Sequence, residues 1–260
     1  MVCVNFRCFS MSRDFTLEKY RELCRVLQER SEIFTFDRYL SENPKGKVTV
    51  LRHDVDRSIQ NALRMAQLEH EAGIRSSYYF RYPGTFVPNI IGKIRDLGHE
   101  VGYHYEVLSM AKGDYDKAIG LFRSGLGEFR KICEVATICM HGSPLSKYDN
   151  RDLWKKYDFR DFGIKGEAYL SMADKGLIYL TDTGRSWGGK HSVRDAMPGA
   201  RKVPVETTDD LIAWIGSADE NAGLYFTVHP ERWAPNEVEW AVGSVTDFAV
   251  NMGKNLLRKK

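Results

Sequence analysis

At 260 residues, 43% hydrophobic and 28% charged, the chain has the make-up of a single globular domain. It is long enough to bury a core without a disulfide or metal staple. Its 38 basic and 35 acidic residues leave a net charge of +3, too even for a nucleic-acid surface, and no apolar run approaches the ~18 residues that cross a membrane.

Met1 to Ser10 contains Arg7 and no sustained apolar core, so it reads as a loose extension and a poor secretory signal, with Met11 an alternative start. The odd set Cys3, Cys8, Cys24, Cys133 and Cys139 has no CxxC spacing. That argues against a disulfide framework or a cysteine zinc site and for a reducing, cytoplasmic setting. Thr16 to Arg30 predicts an amphipathic helix with Thr16 as N-cap, and Asn43 to Gly46 a turn. Residues 1–46 are thus expected to be a helical extension packed on residues 47–260.

From there strand and helix alternate, the signature of a parallel β/α architecture. Val48 to Arg52 predicts a strand, Ser58 the cap of a helix through Glu71, and Ser76 to Phe80 a second strand. Val87 to Leu97 predicts a helix, Glu100 to His104 a strand, Tyr115 to Ile132 a long helix and Val135 to Met140 a strand. Between Asp149 and Val203 the pattern is weak, with strands placed at Ala168 to Leu170 and Leu177 to Thr181. Thr208 is read as capping a helix through Ile215, Leu224 to Val228 as a strand, and Pro235 as opening a helix that reaches the basic Lys254 to Lys260 tail.

Asp54, Asp56, His104, His141, Asp182 and His229 each fall at the C-terminal end of a predicted strand, and in parallel β/α folds those ends form one active face. In Arg52-His53-Asp54-Val55-Asp56, alternation puts both aspartates on one side, where paired carboxylates call for a cation. The plain alternative is a solvated turn before the helix at Ser58. In Gly98-His99-Glu100-Val101-Gly102-Tyr103-His104-Tyr105-Glu106, His104 suits a divalent metal, Gly102 allows a close approach, and His99 reads as structural. His141 opens His-Gly-Ser-Pro, and His229 opens His-Pro-Glu-Arg-Trp. Asp182, Arg185 and Trp187 follow another strand. There Asp182 could orient a histidine, and Trp187, like Trp233, could face a sugar or simply pack.

In this order the motifs resemble a divergent branch of the polysaccharide deacetylase (NodB-homology, carbohydrate esterase family 4-like) family. The likeness spans roughly Val48 to Trp233. It implies a single distorted (β/α) barrel, commonly of seven strands, and removal of acyl groups from sugars with one divalent metal. Zinc comes first, with cobalt, manganese or nickel as options. By position, Asp54 would be the catalytic base, Asp56 and His104 metal ligands, and His229 the general acid. Here Val55 separates aspartates that are adjacent in the family, and Leu108 stands where the second metal-binding histidine is expected. His141 or Glu106 could supply the third ligand, and His141 keeps nitrogen in that role. Arg52, Glu106, Asp182, Arg185, Trp187 and Trp233 are the candidate substrate-binding residues. The expected substrate is a small molecule or glycan, such as a nucleotide- or lipid-linked sugar of surface-glycan synthesis. The rival readings are a catalytically inactive carbohydrate-binding protein of the same fold and an amidase acting on a non-sugar amide.

Overall fold

The computed structural model describes residues 13–143, 146–188, 197, 203–217 and 222–258. Helix α1 (Leu17–Arg30) starts where the Thr16 hydroxyl accepts from the Lys19 amide, and it buries Tyr20, Leu23, Cys24 and Leu27. Strand β1 (Glu32–Phe34) and helix α2 (Phe36–Glu42) follow. Neither was read from the sequence, since three to seven residues are too few to establish a period. Then come β2 (Val48–Val55), α3 (Ile59–Glu71), β3 (Ser77–Phe80), α4 (Pro88–Asp96), β4 (Glu100–Tyr105) and the one-turn α5 (Val107–Met110). Helix α6 (Tyr115–Arg130) and β5 (Thr137–Met140) lead through two 3-10 turns to β6 (Gly166–Glu167) and β7 (Ile178–Thr181). Helix α7 (Thr208–Gly216), β8 (Leu224–Val228), a 3-10 turn (Pro230–Arg232) and α8 (Glu237–Arg258) complete the chain.

Seven strands pair in the order β6-β5-β4-β3-β2-β8-β7, every pair parallel, and the sheet curls into a half-barrel with helices around it. Among the described residues β6 and β7 are its two edges. β1 adds to β2 in parallel, from Glu32 opposite Val48 to Phe34 opposite Val50, so part of the expected extension belongs to the sheet. β2 is buried along all of its eight residues, as a strand covered on both faces must be.

Several boundaries move. β2 extends past Arg52 to Val55, which puts Asp54 inside the strand and not in a turn. Residues 168–170 are a turn after the two-residue β6, because the Glu167 carboxylate takes the Tyr169 and Leu170 amides and ends the ladder. Thr207, not Thr208, caps α7, in a reciprocal box with Asp210, and Ser58 precedes α3 without a side-chain cap bond. Cys24, Cys133 and Cys139 form no disulfide, while Cys3, Cys8 and the rest of residues 1–12 lie outside the described residues. No helix of the described residues is long and apolar enough to cross a membrane.

Alternation along β2 sends His53 away from Arg52 and Asp54, into a buried polar cluster beneath α1 and α3. His53 Nε2 lies 2.7 Å from Glu69 Oε1, and its ring stacks on Tyr78 at 4.2 Å. Ser76 Oγ and Tyr78 OH donate to Glu69 Oε2 at 2.6 and 2.9 Å, and Tyr20 OH donates to Oε1. Burial opposes the charge on Glu69, but His53, His99 and these donors outweigh it and hold its pKa at about 2. A carboxyl depressed in the folded state stabilises the fold above its unfolded pKa and loses that contribution as pH falls through the folded one. Glu69→Gln should therefore lower stability near neutral pH by about 3–5 kcal/mol, the scale of a broken buried pair. In equilibrium urea unfolding the gap to wild type should close as pH falls from about 4.5 towards 2.

Candidate metal and acid–base site

With all strands running one way, the residues that end β2, β4, β5, β7 and β8 meet at one rim. Asp56 Oδ1 lies 3.3 Å from His104 Nε2 and 3.5 Å from His141 Nε2, and the two rings meet edge to face. The other nitrogen of each ring is already committed. His104 Nδ1 donates to the Cys139 carbonyl at 3.0 Å, and a carbonyl only accepts, so a neutral His104 carries its hydrogen there. His141 Nδ1 donates to Glu106 at 2.9 Å. Arg81 and Ser143 Oγ, the latter at 2.9 Å, brace that carboxylate. Burial works against Glu106, yet His141 and Arg81 hold it at about 2.

Two imidazole Nε2 atoms thus converge on a carboxylate oxygen that is buried and accepts no hydrogen bond among the described residues. Lone pairs at this spacing repel unless positive charge lies between them, as ring protons or as a metal ion. When protons fill that role, the two histidines outweigh burial and hold Asp56 well below the usual carboxylate range. Burial likewise opposes charge on His141, but Asp56 and Glu106 push it up to about 10. Two imidazoles and one carboxylate also match the donors that divalent transition metals prefer, so the residues present fit such an ion.

Asp54 sits deeper. Cys139 Sγ donates to its two oxygens at 3.6 and 3.7 Å, and Arg52 Nη2 lies 3.4 Å from Oδ2. Asp54, His104 and Cys139 form a second group whose ligand-capable atoms lie within 4.8 Å of one another, as do those of Asp56, His104 and His141. His104 is common to both, so the two aspartates flank it. The oxygen without a hydrogen bond belongs to Asp56.

Across the rim, His229 Nδ1 donates to Asp182 Oδ1 at 2.6 Å and its amide to Oδ2 at 3.0 Å. Arg232 and the Trp233 indole donate to the same carboxylate at 3.2 and 2.9 Å. Burial and Arg232 oppose protonation of His229, but Asp182 and the charge of Asp56 outweigh them, so its pKa is raised.

The expected substrate-binding residues fare differently. Asp182 has its acceptors filled and orients His229, and Glu106 orients His141. Arg52 is buried, bonded to Thr227 Oγ1 at 2.9 Å and Tyr225 OH at 2.8 Å and stacked over Tyr169. Arg185 is tied to Asp247 and Ser244 of α8. Trp187 and Trp233 are buried with Phe15, and Trp187 Nε1 donates to Thr208, so neither offers a face to a sugar. Pro144 of the His-Gly-Ser-Pro motif lies outside the described residues.

Two rim residues escaped the sequence reading. Arg81, just past β3, binds Glu106 and donates to the Asp56 carbonyl at 3.2 Å. Glu231 buries both carboxylate oxygens without a hydrogen bond, and its pKa is raised by burial and by the charge of Asp56. Its place two residues beyond His229 was the available signal.

No protein-family model and no curated protein matches the chain. Among solved structures it is similar to a CE4-family pseudoenzyme from Bacillus anthracis, at 14% identity and TM-score 0.45 over 78% of this chain and 60% of that one. It thus spans less than two thirds of that protein. It is also similar to the catalytic domain of a peptidoglycan N-acetylglucosamine deacetylase from Eubacterium rectale, at 13% identity and TM-score 0.44 over 81% and 86% of the two chains. A Streptococcus mutans CE4 esterase is similar at 10% identity and TM-score 0.46 over 90% of each chain.

The Asp182–His229 pair is open to direct measurement. In NMR titration His229 should stay protonated above the ordinary histidine range, and Asp182→Asn should shift its pKa downward. An unchanged titration in that variant would remove Asp182 as the cause.

Proposed function

We propose that the protein is a metal-dependent hydrolase that removes an acyl group, acetyl or formyl, from an amino sugar or glycan precursor. The observation that carries this reading is the Asp56 oxygen, buried and without a hydrogen bond, facing two imidazole nitrogens whose partner nitrogens are committed elsewhere. A divalent ion held by Asp56, His104 and His141 would polarise an acyl carbonyl and ease deprotonation of water. Zinc is the first choice, and cobalt, manganese and nickel suit the same donors.

The remaining work falls to side chains. Asp54, fixed by Cys139 and facing Arg52, takes the proton of the attacking water. His229, its Nδ1 committed to Asp182, has Nε2 left to protonate the departing amine or alkoxide.

The purified protein should hold a single divalent ion, and His104→Ala and His141→Ala should each lose it by elemental analysis. Asp54→Asn should keep its metal while losing roughly 10²–10⁴-fold in acyl release from acetylated or formylated amino sugars, free or nucleotide-linked. His229→Ala should lose a similar factor. Wild-type activity should fall as pH rises through the raised pKa of His229, because the acid then lacks its proton. A metal-loaded protein that releases no acyl group from any of these would favour the carbohydrate-binding reading, and loss of metal from Asp54→Asn would exchange the roles of the two aspartates.

A further inference from the structure

The proposed reaction uses Cys139 only to fix Asp54, yet this thiol sits among metal-ligating groups. Cys139 on β5 lies in register with His104 on β4, so the two side chains project to the same face. Its Sγ is 3.6 and 3.7 Å from the Asp54 oxygens, and Asp54, His104 and Cys139 offer ligand atoms within 4.8 Å of one another. Donors on one ion with bonds of about 2.0–2.3 Å stand no more than ~4.6 Å apart, so the three need only small shifts to meet. All three are interior, at 1, 2 and 0% exposure. Among the described residues Cys24 and Cys133 belong to no such group.

Sulfur sets this group apart from Asp56, His104 and His141, because thiolate favours soft ions where carboxylate and imidazole discriminate less. Charge permits the occupancy. With Arg52 beside Asp54 and Asp56 beside His104, a divalent ion on a carboxylate and a thiolate leaves the pocket without net charge. His104 is common to both groups and donates through Nδ1 to the Cys139 carbonyl, which leaves Nε2 as the one nitrogen it can give to either. We infer that Asp54, His104 and Cys139 form a second metal position, selective for thiophilic divalent ions and exclusive of the first. Binding exchanges the S–H bond for a sulfur–metal bond and releases the proton to solvent. An ion there also occupies the proposed base, so it silences the proposed reaction.

Cadmium is the probe, because its thiolate bond absorbs in the ultraviolet where carboxylate and imidazole ligands do not. One equivalent added to the chelator-stripped full chain should raise that band. By equilibrium dialysis, Cys139→Ser, Asp54→Asn and His104→Ala should each weaken cadmium binding at least ~10–100-fold, a range that loss of even an outer partner reaches. His141→Ala should keep both the band and the affinity, and circular dichroism melts check that each variant is folded. In cobalt-loaded protein each cadmium bound should expel one cobalt. A band that survives Cys139→Ser, cadmium affinity that falls with His141→Ala, or both ions held together would overturn the inference. The proposed hydrolase fails separately, if cobalt or zinc is not held through His141 while the cadmium results stand.

Discussion

β2 carries three ionisable side chains in succession through the centre of the sheet, and every one of its residues is buried. Charges in that position persist only where each has a partner and hydrogen bonds to match. Alternation splits the task between the two faces. Arg52 and Asp54 face each other on one side, with Tyr225, Thr227 and Cys139 completing their contacts. His53 turns to the other side, where Glu69 gathers it with Tyr20, Ser76 and Tyr78. The second cluster ties α1 and α3 to the sheet, so the strand that ends in the candidate site is anchored from behind by a different set of charges.

The rim repeats one device. Each histidine there has its Nδ1 hydrogen taken by a fixed acceptor, the Cys139 carbonyl for His104, Glu106 for His141 and Asp182 for His229. Fixing one nitrogen fixes the tautomer and the ring plane, and so decides what the other nitrogen can do. With its Nδ1 hydrogen on a neutral carbonyl, an uncharged His104 would carry its lone pair on Nε2. A carboxylate behind His229 raises its pKa and favours the protonated ring. The partner differs from ring to ring, a carbonyl behind His104 and carboxylates behind His141 and His229, although the side chains are chemically the same.

Much of this was legible in the sequence because two periodicities bear on it. The two-residue repeat separates Asp54 from His53, and strand-after-helix alternation brings six strand-end residues to one edge whatever lies between them. Local pattern could not tell which side chains would be covered. Trp187 and Trp233 follow strand ends as a sugar platform would, but Phe15 and Tyr20 pack on that side and bury them. That contact joins residues more than 170 positions apart. Glu106 and Asp182 are expected among the substrate-binding residues, Asp182 also as a residue that could orient a histidine, and the histidines they bond lie 35 and 47 residues further along the chain.

Leu108 is where the resemblance and the molecule part most sharply, and the packing gives a reason. It lies in the one-turn α5, buried in the main apolar cluster beside Val107, so an imidazole there would enter the core. In the proposed site the nitrogen would come from the neighbouring strand instead. The His141 amide donates to the Tyr105 carbonyl at 2.8 Å, which extends the β4–β5 pairing to the end of both strands and sets the His141 and His104 rings edge to face. Asp56 reaches them from across β3, and that span needs support of its own. Arg81, leaving β3, supplies it by donating to the Asp56 carbonyl while it binds the carboxylate that orients His141. One guanidinium therefore couples the backbone of the proposed acidic ligand to the ring of a proposed imidazole ligand. An arc of donors drawn from three strands can in this way hold its spacing without a histidine at position 108.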